Sequence, residues 1–273
     1  MPRISAKAMP SPSGGRDREP NDRPRMKLSF VIPAYNEQDF IGPCLESVMR
    51  ELRATECDAE VIVVNNASTD ATRERALAVP GVRVVDEPQK GLVRARQAGY
   101  LAASGELIAN IDSDTRLPEG WLKIVLDTFR REPDLAALSG PLIYYDMAWT
   151  GRVMVRLFYF LGYLVSALTN RITGKGAMIQ GGNFVLRRAV LDEIGGYDTT
   201  IEFYGEDTDV ARRVSEVGRV KWTFALPIYS SARRMKGEGI ATTGLRYALN
   251  YVWVAFRGRP LTQDYKDIRP GGD

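Results

Sequence analysis

From residue 28 onward, short apolar runs alternate with stretches in which apolar residues recur every three or four positions. Leu28-Ser29-Phe30-Val31-Ile32, stopped by Pro33, has the length and continuity of a buried strand. Ile41, Leu45, Val48 and Leu52 follow at helical spacing. Residues 61–64 predict a second buried strand, and Ser68-Thr69-Asp70 opens a helix after it. Residues 82–85 predict a third strand, residues 92–103 an Ala-rich helix, and residues 107–111 a fourth strand ending at Asp112. Four strand–helix alternations predict an α/β fold, a Rossmann-like and mostly parallel sheet flanked by helices. Ligands of such sheets sit beyond the carboxyl ends of the strands. The polar clusters Asn36-Glu37, residues 65–70 and residues 112–114 fall at those ends.

The second half is less regular. Residues 136–144 and 183–186 predict strands on either side of a long apolar stretch, residues 153–168. That stretch is interrupted by Arg156 and Gly162 and is shorter than the ~20 apolar residues of a spanning helix. It reads as either a buried helix or an interfacial one. Residues 245–257 repeat its character, with Tyr247, Tyr251, Trp253 and Phe256 beside Arg246 and Arg257, the chemistry of a membrane headgroup belt. Residues 1–25 are rich in Pro, Ser, Gly, Arg and Asp without periodicity and predict a disordered leader. The expected organisation is therefore a leader over 1–25, one domain over 26–235, and an amphipathic C-terminal extension over 236–273.

Composition narrows the chemistry. The 273 residues include 44% hydrophobic and 26% charged residues, enough for a sizeable core. A net charge of +3 is too small to argue for nucleic acid, and it suits anionic substrates or an anionic membrane surface. No apolar run follows the early positive charges, so a secretory signal is not expected. Cys44 and Cys57 lack the spacing of a zinc site or a disulfide framework, which predicts a reducing, cytoplasmic setting. The chain has no histidine. That removes Ser-His-Asp, Cys-His and His-metal chemistry, leaving proton transfer to carboxylates, Lys, Tyr or water. Any metal must be hard and oxygen-bound, which points to Mg2+ or Mn2+.

Asp112-Ser113-Asp114 is the leading chemical candidate. Two carboxylates one residue apart at a strand end can point into one crevice, where a divalent cation offsets their repulsion. The alternative is a solvated turn whose aspartates cap the next helix. Pro33-Ala34-Tyr35-Asn36-Glu37 and Asn65-Asn66-Ala67-Ser68-Thr69-Asp70 are either ligand loops facing the same crevice or capped strand-to-helix turns. Neither carries a dinucleotide or P-loop fingerprint. Arg94 and Arg96, after Gly91, either meet phosphate at a helix N-terminus or lie on a solvated face. Gln180-Gly181-Gly182-Asn183 fits a place where ligand meets backbone, or a simple bend. In Gly205-Glu206-Asp207-Thr208-Asp209, pairing with Arg213 at i,i+4 accounts for Asp209. Glu206 and Asp207, behind two aromatics, are candidates for a tuned general base.

In order and approximate spacing, these motifs resemble the family 2 glycosyltransferases of GT-A fold over about residues 27–225. The resemblance implies inverting transfer from a nucleotide-diphosphate sugar to an acceptor hydroxyl. Pro33, Tyr35 and Glu37 would line the nucleotide pocket with Asn65, Asn66, Ser68 and Asp70. Gly91, Arg94, Ser113, Gly182, Asn183 and Arg233 would complete the donor site. Asp112 would contact ribose or metal, Asp114 would ligand Mn2+ or Mg2+, and Asp207 would be the base with Glu206 beside it. Processive relatives carry Gln-x-x-Arg-Trp, of which Ser231-Ala232-Arg233-Arg234-Met235 is at most a remnant, so transfer of single sugars is expected. The apolar segments suggest a lipid-linked or cell-envelope acceptor and peripheral contact with the inner face of the cytoplasmic membrane. A non-catalytic nucleotide-sugar-binding protein on the same fold is the alternative.

Overall fold

The structure, a computed structural model, describes residues 26–173, 177–201 and 203–239, together with 242–244, 246, 249 and 253. The expected leader and all but three positions of the 245–257 segment lie outside the described residues.

Four strands carry the first half: β1 (Leu28–Ala34), β2 (Ala59–Asn66), β3 (Val82–Glu87) and β4 (Leu107–Ile111). Helices α1 (Ile41–Ala54), α2 (Thr72–Leu77) and α3 (Leu92–Ala102) connect them. All three pairings, β1 with β2, β2 with β3 and β1 with β4, are parallel. Every residue of β1 and β4 is buried, which explains their continuous apolar runs: helices cover both faces. Phe30 and Ile32 pack with Ile41, Leu45 and Val48 of α1. Val31 turns to the other face, against Val93 and Tyr100 of α3.

Beyond β4 come α4 (Trp121–Arg131), β5 (Leu135–Ser139), β6 (Leu142–Tyr144), the long α5 (Trp149–Thr173), β7 (Asn183–Arg187) and α6 (Arg188–Glu193). Then follow α7 (Glu206–Val217), β8 (Arg219–Trp222), β9 (Ile228–Ser230) and α8 (Arg233–Glu238). The seven-stranded sheet has the order β3-β2-β1-β4-β7-β5-β8, and β6 pairs with β9 in a separate ribbon. The mostly parallel, helix-flanked sheet is the expected one, with one reversal. Strand β7 runs antiparallel to both β4 and β5.

Two expectations of the second half change. The strand expected over 136–144 is two strands in two sheets, divided at Gly140-Pro141, because proline cannot donate to a ladder. The stretch 153–168 belongs to a 25-residue helix, and most of its large apolar side chains are exposed, so it is no buried helix.

Candidate active site

The strand order reverses at β1, whose neighbours on either side are β2 and β4. The carboxyl ends of β1 and β4, flanking that reversal, mark the crevice where ligands usually sit in such sheets. Asn36 and Glu37 follow β1, and Asp112 and Asp114 follow β4.

Helix α1 fixes the turn after β4. The Ser47 hydroxyl accepts the N–H of Leu117 at 2.9 Å, and Arg50 donates to the Leu117 carbonyl at 2.8 Å. The buried Glu51 carboxylate accepts the N–H groups of Gly120 at 3.1 Å and Leu122 at 3.0 Å, satisfying the open donors at the start of α4. The Asp112 carbonyl accepts both the N–H of Thr115 at 3.1 Å and its hydroxyl at 2.6 Å, closing the turn. The aspartate side chains are thereby left for other partners.

Those partners are arginines. Arg96 of α3, 1% exposed, donates to Asp112 at 3.2 Å and pairs with Glu206 at the start of α7. Arg233 donates to Asp114 at 2.9 Å and to both oxygens of Glu37 at 2.9 Å, with its guanidinium 4.0 Å over the Phe40 ring. The Ser230 hydroxyl lies 3.5 Å from Asp114. Arg96 is therefore neither on a solvated face nor open to phosphate; it is a buried bridge between two carboxylates. Arg94, one position off that face, is exposed.

Because β7 is antiparallel, its amino end meets the carboxyl end of β4, with Asn183 opposite Ile111. Gly182, at φ +77°, presses its backbone on the Asp112 carboxylate, so any Cβ there would collide with it. A Cβ at Gly181 would stand 3.1 Å from Glu206. Asp207 accepts the N–H of Gly181 at 3.2 Å and that of Thr208 at 2.8 Å. The same glycine pair thus touches both the acidic turn and the start of α7. Asn183 differs from expectation: it is fully buried, accepting the Trp121 indole N–H at 3.3 Å and donating to the Leu226 carbonyl at 2.8 Å, so its side chain faces the core.

The loops after β1 and β2 interlock. Asn36 accepts the N–H of Thr69 at 2.9 Å, and its own N–H goes to Ser68 at 3.2 Å. Asp70 accepts the N–H of Gln38 at 3.1 Å and that of Thr72 at 3.0 Å. Ser68 and Asp70 are thus tied to backbone, the capping alternative. Asn66 holds the next loop, donating to the carbonyls of Glu87 and Gln89 and accepting the N–H of Gly91 at 2.8 Å. Asn65 donates to Asp86 at 2.9 Å, and its buried oxygen has no hydrogen-bond partner among the described residues. Pro33, Tyr35, Asn66 and Gly91 share a cavity wall with Lys90, Leu92 and Phe203. Lys90 stands 4.1 Å over the Tyr35 ring, and Arg234 4.3 Å over Phe203. Sequence reasoning missed Lys90; a cation between Gly91 and a strand end was the available signal.

Burial governs the acids. It pushes the Asp114 carboxyl up to about 6, with Arg233 opposing and Asp112 and Glu37 reinforcing. It pushes Glu206 up to about 7 against the pull of Arg96. Asp207 is also raised by burial, against the N–H groups of Gly181 and Thr208. Five carboxylates, Glu37, Asp112, Asp114, Glu206 and Asp207, stand against the two guanidiniums of Arg96 and Arg233. That surplus and the all-oxygen donor set fit a hard divalent cation. Among the described residues no three potential ligands form a protein-only cage, so such a cation would complete its shell with ligand oxygens and water.

A family profile described as "Glycosyl transferase family 2" matches residues 29–195. Chondroitin synthase of Pasteurella multocida is 32% identical over 115 residues, 41% of this chain and only 12% of that much longer protein. Glucosyl-dolichyl phosphate glucuronosyltransferase of Haloferax volcanii is 23% identical over 239 residues, covering 85% of this chain and 74% of the relative. Glucosyl-3-phosphoglycerate synthase of Mycobacterium tuberculosis, solved with Mn2+, UDP and phosphoglyceric acid, superposes with a TM-score of 0.57 at 21% identity. That superposition covers 84% of this chain and 78% of the other, a likeness of fold.

Proposed function

The chain belongs to glycosyl transferase family 2, and from that premise we propose that it transfers a sugar, with inversion, from a nucleotide-diphosphate sugar to an acceptor hydroxyl. The observation that carries this reading is the convergence of Asp112, Asp114, Gly182 and Asp207 on one crevice at the strand-order reversal.

Tyr35, Asn66, Lys90 and Phe203 would receive the nucleoside end of the donor, since they line the cavity beside that crevice. Asp112 and Asp114 would hold Mn2+ or Mg2+, which when bound neutralises charge on the departing diphosphate. Arg233, which pairs with Asp114, would turn from it toward the diphosphate as donor enters. Gly182 brings backbone against Asp112 and leaves the crevice open for the sugar. Asp207 would take the acceptor proton as the hydroxyl oxygen attacks the anomeric carbon and the bond to the diphosphate breaks. Asp207 is half-buried with its carboxylate oriented by two backbone N–H groups, whereas Glu206 is buried and held by Arg96. We therefore assign proton transfer to Asp207 and positioning to Glu206.

For the acceptor we favour a lipid-linked one, supported by the dolichyl phosphate in the name of the haloarchaeal relative and by the exposed apolar length of α5. The free thiols Cys44 and Cys57 agree with a cytoplasmic setting.

The test is release of nucleoside diphosphate from a panel of UDP- and GDP-sugars with Mn2+ and polyprenyl-phosphate acceptors. Asp114→Ala is expected to lower turnover by about 10²–10³. Asp207→Asn should bind donor normally yet lose about 10²–10⁴ in transfer rate. Because burial raises Asp207, the acid limb of kcat/KM should lie above the ordinary carboxylate range, with activity rising as pH rises through it. Tight nucleotide-sugar binding without nucleoside diphosphate release across the panel would favour the non-catalytic alternative. Undiminished transfer by Asp207→Asn would remove its role as base.

A further inference from the structure

Helix α5 touches the domain along a narrow stripe. Val155 and Tyr159 belong to the core, Tyr159 lies 5.9 Å from the Trp222 ring, and its hydroxyl accepts the Leu142 N–H at 3.4 Å. Around that stripe the helix is apolar and open: Trp149 is 72% exposed, and Met154, Leu157, Leu161 and Leu168 are each more than half exposed. Val153, Leu157 and Phe160, with Arg156 and with Phe224 from the loop after β8, line a shallow groove of about 300 Å³. A continuous exposed face of this kind marks a docking surface.

Its charges say what docks. From Trp149 to Thr173 there is no Asp or Glu; the only ionic side chains are Arg152, Arg156 and Arg171. Arg152 donates to the Met147 carbonyl at 3.0 Å, whereas Arg156, the eighth residue of the helix, is exposed and lines the groove. Large apolar side chains with arginines and no acids complement an apolar layer bounded by negative headgroups. A second copy of this face would set like charges against each other.

We propose that α5 is an in-plane docking helix for an anionic lipid bilayer. By length and composition it could also cross a membrane. The stripe argues for the in-plane arrangement, because crossing would strip Val155 and Tyr159 from the core. Docking also orients the crevice. Asp146, just ahead of α5, accepts the N–H of Ala232 at 2.6 Å and the Ser231 hydroxyl at 3.1 Å, next to Arg233. The amino-terminal end of α5, with Arg152 and Arg156, is therefore the end beside the crevice, which brings headgroups to its edge. The inference stands apart from the donor chemistry, since bilayer binding needs no nucleotide.

The experiment is flotation of the full chain, without nucleotide, on vesicles of phosphatidylcholine alone and on vesicles that include phosphatidylglycerol. The protein should float with the anionic vesicles and bind less at high salt. Arg156→Gln should weaken that binding about fivefold. Leu157→Glu with Leu161→Glu, both on the exposed face, should abolish it while circular dichroism stays unchanged. Failure to float, or equal binding to both vesicle types unaffected by Arg156→Gln, would overturn the proposal. Dimers in solution that Leu157→Glu dissociates would show that a second copy covers the face. Vesicle-bound protein that resists both high salt and alkaline washing would make α5 a spanning helix.

Discussion

Arg96 joins the acidic turn to the start of α7, and its guanidinium is buried with Nε unpaired among the described residues. Removing one member of a buried ionic cluster leaves the others short of counter-charge, at a cost of about 3–5 kcal/mol. Arg96→Met should therefore lower stability by about that amount in urea unfolding. Arg96→Lys keeps the charge but not the fork that spans Asp112 and Glu206. It should unfold later than Arg96→Met while still losing kcat; equal stability of the two variants would refute a bridging role. Glu206 adds a pH dependence. Its folded pKa of about 7 lies above its ordinary 4.5, so the folded chain binds this proton more tightly than the unfolded chain. Glu206 therefore favours folding most fully below pH 4.5, and that contribution is lost as pH rises toward 7. The change is on the order of 3 kcal/mol. Carboxylates held low by hydrogen bonds, such as Glu60 at about 2 where Ser104, Ser29 and Arg83 overcome burial, act in the opposite sense and below this window. Urea midpoints of the metal-free protein should accordingly fall between about pH 5 and pH 7. Glu206→Gln should flatten that slope.

The elements that were legible in the sequence are those with one dominant pattern. Strands β1 to β4 are apolar runs because helices cover both faces, and α1 shows helical spacing because only one face is buried. The direction of β7 was not legible, since a short apolar run reads the same both ways. That direction brings Gly182 to Asp112 and turns the Asn183 side chain into the core. The length of α5 was hidden because apolar residues surround nearly the whole helix and leave no periodic face. The burial of Arg96 was readable in principle. Val93, Arg96 and Tyr100 share one face of α3, but a charged residue on a helix is ordinarily solvated. Asn36, in a loop that reads either as a ligand loop or as a capped turn, is a clasp between the loops after β1 and β2. At φ +49° it tolerates the left-handed region, and it accepts the Thr69 N–H. Asn36→Ala combines a left-handed Cβ with a lost hydrogen bond and should cost about 2 kcal/mol. Hydrogen exchange should show residues 67–70 opening more readily in that variant, and unchanged protection there would refute the clasp.

Across the whole molecule, the crevice draws Glu37 from the loop after β1, Asp114 from the turn after β4 and Arg233 from the far end of the described domain. The amino- and carboxyl-terminal parts are therefore coupled through one guanidinium. Glu37 is 1% exposed, and Arg233 shields it and Asp114 together. In the proposed reading, Arg233 would hold the place of a cation until donor and metal arrive. Arg233→Ala should lower stability by about 3 kcal/mol, the lower end for a buried pair because the arginine is partly exposed. For a domain of this size that is roughly a 6–12 °C fall in Tm. Mn2+ would then meet a more open Asp114 with no competing guanidinium. It should raise the Tm of Arg233→Ala more than that of the wild-type chain, since binding stabilises the folded state by mass action. If Arg233 also meets the diphosphate as proposed, transfer should remain impaired even with saturating Mn2+. Equal Mn2+ shifts in the two proteins would show that Arg233 and the metal do not share Asp114.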